Sequence, residues 1–257
     1  MLILKFNRIV LIIFMAISTS VFAQDKLIKL VGVEAGYYSL TAYTEDLSFI
    51  RKNAGTNYPS NSIFLDGLNN TGHFGFKFEV LTQNKKFALH TGLRYTYMSN
   101  RIEAVNNDGA KSYVLFYHRS TNNSTEYLRV QKISDKQSFV SVPLSFKFSP
   151  FIHSSGLVAA YAKLTFQFNA NIYSKNNAEF FNEEMDQYSE SVFEQINDPS
   201  AFSGMLFLSH GIRIGDLEKL SVAIELIFPA VEVFGNMTSL YSTDNGVGFQ
   251  LTLQKAI

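Results

Sequence analysis

The chain has no cysteine and no tryptophan, and only five prolines in 257 residues. Without a thiol there is no disulfide framework and no thiolate metal site. Charge is scarce: 17% of the residues are charged, with 22 Lys and Arg against 22 Asp and Glu. A nucleic-acid partner needs a basic excess, so that class is excluded. Disorder is excluded too, because 46% of the chain is hydrophobic and 14% aromatic. The one long apolar run is Ile9–Ile17, too short for a helix across a bilayer of ~30 Å.

That run sits in an export signal. Lys5 and Arg8 precede it, and Val21-Phe22-Ala23 follows with small residues at the cleavage positions. Residues 1–23 are expected to be a cleaved signal peptide, with 24–257 as the mature domain. An exported chain without a membrane helix is soluble or a barrel.

Alternation with period two dominates the rest. In 73–81, Phe74, Phe76, Phe78 and Val80 alternate with His73, Gly75, Lys77 and Glu79. Segments 87–97, 140–148, 158–169, 220–228 and 247–253 repeat the pattern, and 29–39 and 202–214 follow it less cleanly. In 202–214, His210 falls on the apolar parity. These eight segments are joined alternately by short turns (82–86, 149–156, 215–219) and long connections (41–72, 98–138, 170–201, 229–245). Even strand number with alternating loop length predicts an all-β fold: an eight-stranded antiparallel up-and-down transmembrane β-barrel with short periplasmic turns and long extracellular loops.

Alternation alone also fits a soluble barrel, with its apolar face inward. The character of the faces separates the two. The apolar face carries Phe, Leu and Val, too bulky for the lumen of eight strands, while the other carries Gly, Ser, Ala, Thr and scattered ions. The bulky face is therefore expected to meet lipid. Tyr37, Tyr95, Tyr97 and Tyr173 fall near the outer strand ends, where an aromatic girdle belongs.

Val31-Gly32-Val33-Glu34-Ala35-Gly36, Ser141-Val142-Pro143-Leu144 and the Gly92-Leu93-Arg94-Tyr95 step within Phe87–Tyr97 carry a resemblance. Together they resemble the outer-membrane β-barrel domain family of Bacteroidota, porin-like or PorT-like, over nearly the whole mature chain. The resemblance implies a fold and a location in the outer membrane. It implies no activity.

On the inward parity lie Glu34, Lys77, Glu79, Arg94, Lys147, Lys163, Arg213 and Glu225. Buried ions are costly unless paired, so a barrel-interior ionic network is expected. Five cations face three anions, which places part of the positive charge near a mouth or against water. His73 and His90 share this parity, but pairing about Asn84 sets them opposite residues near 95 and 78. They lie at opposite ends of their hairpin and cannot share a metal. No HExxH, GxSxG or CxxC motif is present, so no catalytic, cofactor or metal residue is assigned. His118 beside loop acids is the one conceivable catalytic rim. Phe181, Met185, Tyr188, Val192 and Ile196 recur at helical spacing in 178–197, predicting a short acidic helix in an outer loop that caps the mouth or offers a surface for a partner or a cation. Tyr113–His118 and Tyr127–Lys132 read as a hairpin beyond the membrane.

The expected protein is thus a non-enzymatic outer-membrane barrel, structural or binding a partner through its loops. Its partners are outer-membrane lipid, the barrel assembly machinery and an extracellular protein or glycan. The alternative is a narrow pore, or an accessory of a transport or secretion complex.

Overall fold

A sheet loses its unpaired edges when it closes on itself, and here the ring closes. The computed structural model describes residues 27–40, 50–51, 63–106, 112–119, 125–194, 196, 199–238, 240 and 246–257. Among these residues there are ten strands: β1 Ile28–Leu40, β2 Ile50–Arg51, β3 Ile63–Leu81, β4 Phe87–Asn106, β5 Val114–Arg119, β6 Thr125–Ile152, β7 Val158–Phe180, β8 Phe202–Asp216, β9 Leu220–Phe234 and β10 Gly246–Ala256. Eight of them form a closed antiparallel ring in the order β1-β3-β4-β6-β7-β8-β9-β10, with β10 returning to β1. The two short strands, β2 and β5, extend β6 at the outer end. The proposed signal peptide lies outside the described residues.

Each of the eight expected segments lies within a ring strand, on the expected face. Outward go Phe74 (62% exposed), Phe76 (72%) and Phe249 (58%); inward go the ions. An apolar wall around a polar interior inverts a soluble protein and gives lipid the contact that water would refuse. His210 lies outward and exposed on this wall, its ring edge-on to Phe228.

The strands run well past their apolar alternation. Residues 63–72, 98–106, 133–138 and 170–180 belong to strands, where loops are expected from the sequence, and the expected hairpin of Tyr113–His118 and Tyr127–Lys132 is present as β5 paired with the first part of β6. Above the hydrocarbon, headgroups and water take the outer face, so that face of the ladder needs no apolar side chains, and residues such as Asn69, Asn70, Ser99 and Asn100 continue the strands. Segment 178–197 is likewise only partly helical. Its first residues pair with β6, a short 3-10 turn covers Glu183–Tyr188, and α1 is Ser189–Phe193.

The β3–β4 register differs by one residue from the expected one. His73 faces Thr96 and His90 faces Glu79, because Thr82 pairs with Phe87 around a four-residue turn in which Lys85 adopts φ 59°. Directly opposed residues share a face, so inward His73 must meet an inward even-numbered partner on β4.

Candidate functional site

The lumen is filled in layers. At the periplasmic end Leu30, Leu81, Ala88 and Leu217 pack into an apolar floor. Above it lie the ions. Higher still, Tyr38, Leu40, Met98, Phe139, Met205, Phe207, Ile227 and Met237 form a second apolar layer. The top is a third cluster, built on Ile102, Leu128, Val130, Ile133 and Phe180, into which Val192, Ile196 and Leu240 are pressed.

All eight sequence-predicted ions are at most 5% exposed. Glu79 holds two ammonium groups: Lys147 on one oxygen and Lys77 at 2.7 Å on the other. Arg94 crosses the lumen. Its Nε pairs with Glu34, one terminal nitrogen donates to Gln167 Oε1 at 2.9 Å and the other to Gln250 Oε1 at 3.2 Å. Gln250 Nε2 donates to Glu34 at 3.1 Å. Lys163 pairs with Glu225, which also accepts from the Tyr161 hydroxyl at 2.9 Å. Lys147 lies 5.0 Å from the Tyr161 ring centroid, a cation–π contact.

Arg213 stands apart. It is 2% exposed, and neither its Nε nor one terminal nitrogen has a hydrogen-bond partner among the described residues. The surplus of cations over lumenal glutamates is therefore expressed at one guanidinium low in the barrel. His73 bonds Gln250 Oε1 at 3.0 Å, and His90 Nε2 lies 3.8 Å from Glu34. The two histidines thus flank the same Glu34–Gln250 pair from different levels.

Two glycines make room for this network. Gly36 lies between His73 and Gln250, and Gly211 between Tyr161 and Glu225, in the same ladder rows. A Cβ on Gly36 would stand 2.5 Å from the His73 ring, and one on Gly211 would stand 2.6 Å from the Tyr161 ring. Each ring lies across a glycine to reach a polar group one strand further on. The sequence signal is an inward glycine flanked in register by an aromatic and a carboxylate or amide, but it is legible only once register is known.

The apolar upper layer was not legible. Large residues were expected to face lipid, yet Phe139, Phe207, Met98 and Met205 point inward and are nearly inaccessible. Met205-Leu206-Phe207-Leu208 is apolar on both parities and so hides its facing. Bulges add to this: Ile172 is the unpaired residue between the Ser138–Tyr173 and Phe139–Asn171 pairs. Beyond it, the inward residues of β7 change from odd to even, and Ala178 and Phe180 turn inward.

Space inside is minimal. A cavity lined by Tyr38, His73, Arg94, Lys163 and Gln250 has room for about one water molecule. Among the described residues no cluster of His, Asp and Glu could hold a metal. One Ser–His contact, His153 Nδ1 to Ser155 Oγ at 2.9 Å, belongs to the exposed β6–β7 turn, where the same hydroxyl accepts from Leu157 N. The side chain of His118 lies outside the described residues.

No protein-family model matches the chain, and no curated protein matches it. Solved outer-membrane β-barrel structures resemble it at low similarity. The translocator domain of the autotransporter NalP from Neisseria meningitidis shares 6% identity, covering 94% of this chain and 92% of that one, with a TM-score of 0.29. Ail, the attachment invasion locus protein of Yersinia pestis, solved with the heparin analogue sucrose octasulfate, shares 8% identity over 90% and 96% of the two chains, TM-score 0.23. The transport unit of the autotransporter AIDA-I from Escherichia coli shares 8% identity over 91% and 92%, TM-score 0.25. Likeness this distant carries no argument about function.

Proposed function

We propose that this chain is an outer-membrane barrel, exported by a signal peptide at 1–23, that is non-enzymatic and meets a partner at its outer end. The observation that carries this is the layered lumen. Among the described residues, an apolar floor, a paired ionic layer and two apolar layers follow one another along the lumen and fill it with side chains. What remains free to act is the surface above the lipid. That surface is a built head, since Val192 and Ile196 anchor the acidic cap of Glu183, Glu184, Asp186 and Glu190 onto the extended strands. A rigid scaffold displaying an ordered cap suits recognition of a protein or glycan at low entropic cost. Membership of the porin-like family of Bacteroidota, dependence on the assembly machinery, and residence in outer-membrane lipid belong to the same proposal.

A narrow pore or transport accessory is the rival, and the filled lumen weighs against the pore. The test is to replace 104–131 and 172–201 with Asn-Gly turns. The trimmed chain is expected to stay a heat-modifiable barrel in the outer-membrane fraction, and to lose whatever binding the parent shows to arrays of glycans and surface proteins. Binding that survives trimming would move the function to the lumen or the periplasmic turns.

A further inference from the structure

Like charges set directly opposite each other in a sheet repel, and an anion bridging them relieves that repulsion. Lys136 on β6 and Lys175 on β7 are Cα partners in the ladder, and both are exposed. Neither makes an ion pair or hydrogen bond among the described residues, whereas the neighbouring Lys132 is paired with Glu179 at 2.6 Å and Arg101 with Glu103 at 3.6 Å.

Their height on the barrel is informative. A tilted strand crosses the hydrocarbon in about ten residues. On β6 that distance runs from Phe148, stacked with Phe87 near the periplasmic end, up to Ser138. Ser138 lies in one ladder row with Tyr97 and Tyr173, both exposed on the outer wall, and its hydroxyl lies 2.8 Å from that of Tyr95. The Lys136–Lys175 row is one pleat above this aromatic girdle. It stands at the depth of headgroup phosphates, on the face that meets lipid.

We propose that Lys136 and Lys175 form a binding site for the phosphate of an outer-leaflet lipid headgroup, with the acyl chains lying on the apolar wall below Tyr97 and Tyr173. This rests on the outer-membrane reading above. A bridging phosphate turns the repulsive pair into two charge-assisted contacts, and the tyrosine rings seat the lipid at the interface.

The test uses the full-length barrel, folded into vesicles doped with either a phosphorylated lipid A or the same lipid with its phosphates removed. Native mass spectrometry after extraction counts the lipid retained. The parent should retain the phosphorylated form in excess, and each Lys→Gln substitution should reduce that excess about fivefold. Lys136→Gln/Lys175→Gln should abolish it, Lys136→Arg/Lys175→Arg should keep it, and millimolar inorganic phosphate should not compete. Equal retention of the two lipids by the parent would overturn the site. So would a double Gln variant, verified as folded by its heat-modifiable mobility, that keeps the preference. Full competition by inorganic phosphate would overturn the lipid as its source. Failure of the outer-membrane reading is separately visible, as a parent chain that neither enters vesicles nor shifts on heating.

Discussion

The Tyr161 side chain passes over Gly211, where a Cβ would stand 2.6 Å from its ring, and the Tyr161 hydroxyl so reaches Glu225 at 2.9 Å. Gly211 sits between the two in register, on the strand that separates them. The network across β7, β8 and β9 therefore depends on a missing methyl group.

Gly211→Ala should consequently destabilise the barrel by about 1–3 kcal/mol, the usual cost of forcing atoms into a filled interior. The added Cβ would lie 2.6 Å from the Tyr161 ring. Tyr161→Phe removes the hydroxyl but leaves Lys163 on Glu225, and should cost about 1 kcal/mol. Urea unfolding in lipid vesicles, followed by tyrosine fluorescence or mobility on gels, ranks them. A Gly211→Ala variant as stable as the parent would show that the ring is free to move aside.

Lumenal charges should divide by partner. Glu79→Gln leaves Lys77 and Lys147 facing each other without an anion, and should cost about 3–5 kcal/mol. Arg213→Met should do the opposite. It replaces a buried guanidinium that lacks hydrogen-bond partners at two of its nitrogens with an apolar chain of similar length, and should stabilise by about 1–3 kcal/mol. The same unfolding curves decide. A destabilised Arg213→Met variant would mean that this cation is satisfied by something other than the protein.

Much of this was legible because a lipid-facing wall imposes a strict period. Phe74, Phe76 and Phe78 alternate with Gly75 and Lys77, and it is the bulk of the one face against the small residues and ions of the other that sets which face turns outward. Lumenal ions were legible for the same reason, as the polar half of that alternation. What period two does not encode is register: an odd turn centred on Asn84 would set His73 near residue 95, whereas Lys85 closes an even turn that sets it opposite Thr96. Nor does it encode strand ends in water, where the outer face of a ladder need not be apolar, or the inward turn of Phe207, whose neighbours on both parities are apolar.

The wall gives two predictions of opposite sign. Val142 is 44% exposed on the outer face, within the apolar band. Val142→Arg should therefore lose about 2–4 kcal/mol and fail to assemble. His210 is a polar ring on the same wall, without a hydrogen bond among the described residues. His210→Leu should stabilise the membrane-inserted form by about 1–2 kcal/mol. Outer-membrane yield and unfolding in vesicles measure both. Destabilisation by His210→Leu would show that the imidazole has a partner in the membrane.

Conduction is the last expectation. An ion entering the lumen would have to pass Leu30, Leu81, Ala88 and Leu217, then the ion-paired layer, and then a plug of Met98, Phe139, Met205, Phe207 and Met237. Between them, the cavity beside Tyr38, His73 and Arg94 has room for about one water. Opening a path requires breaking Arg94 from Glu34 and displacing several packed side chains together, which is a partial unfolding of the interior rather than a gate. Purified protein in planar bilayers should leave the baseline of the lipid alone, with no steady open state at any salt concentration. Arg94→Ala should add at most brief, small events, because the apolar layers above and below stay closed. A reproducible steady conductance from the parent chain would show that these layers rearrange in the membrane, and would move the function from the outer cap to the lumen.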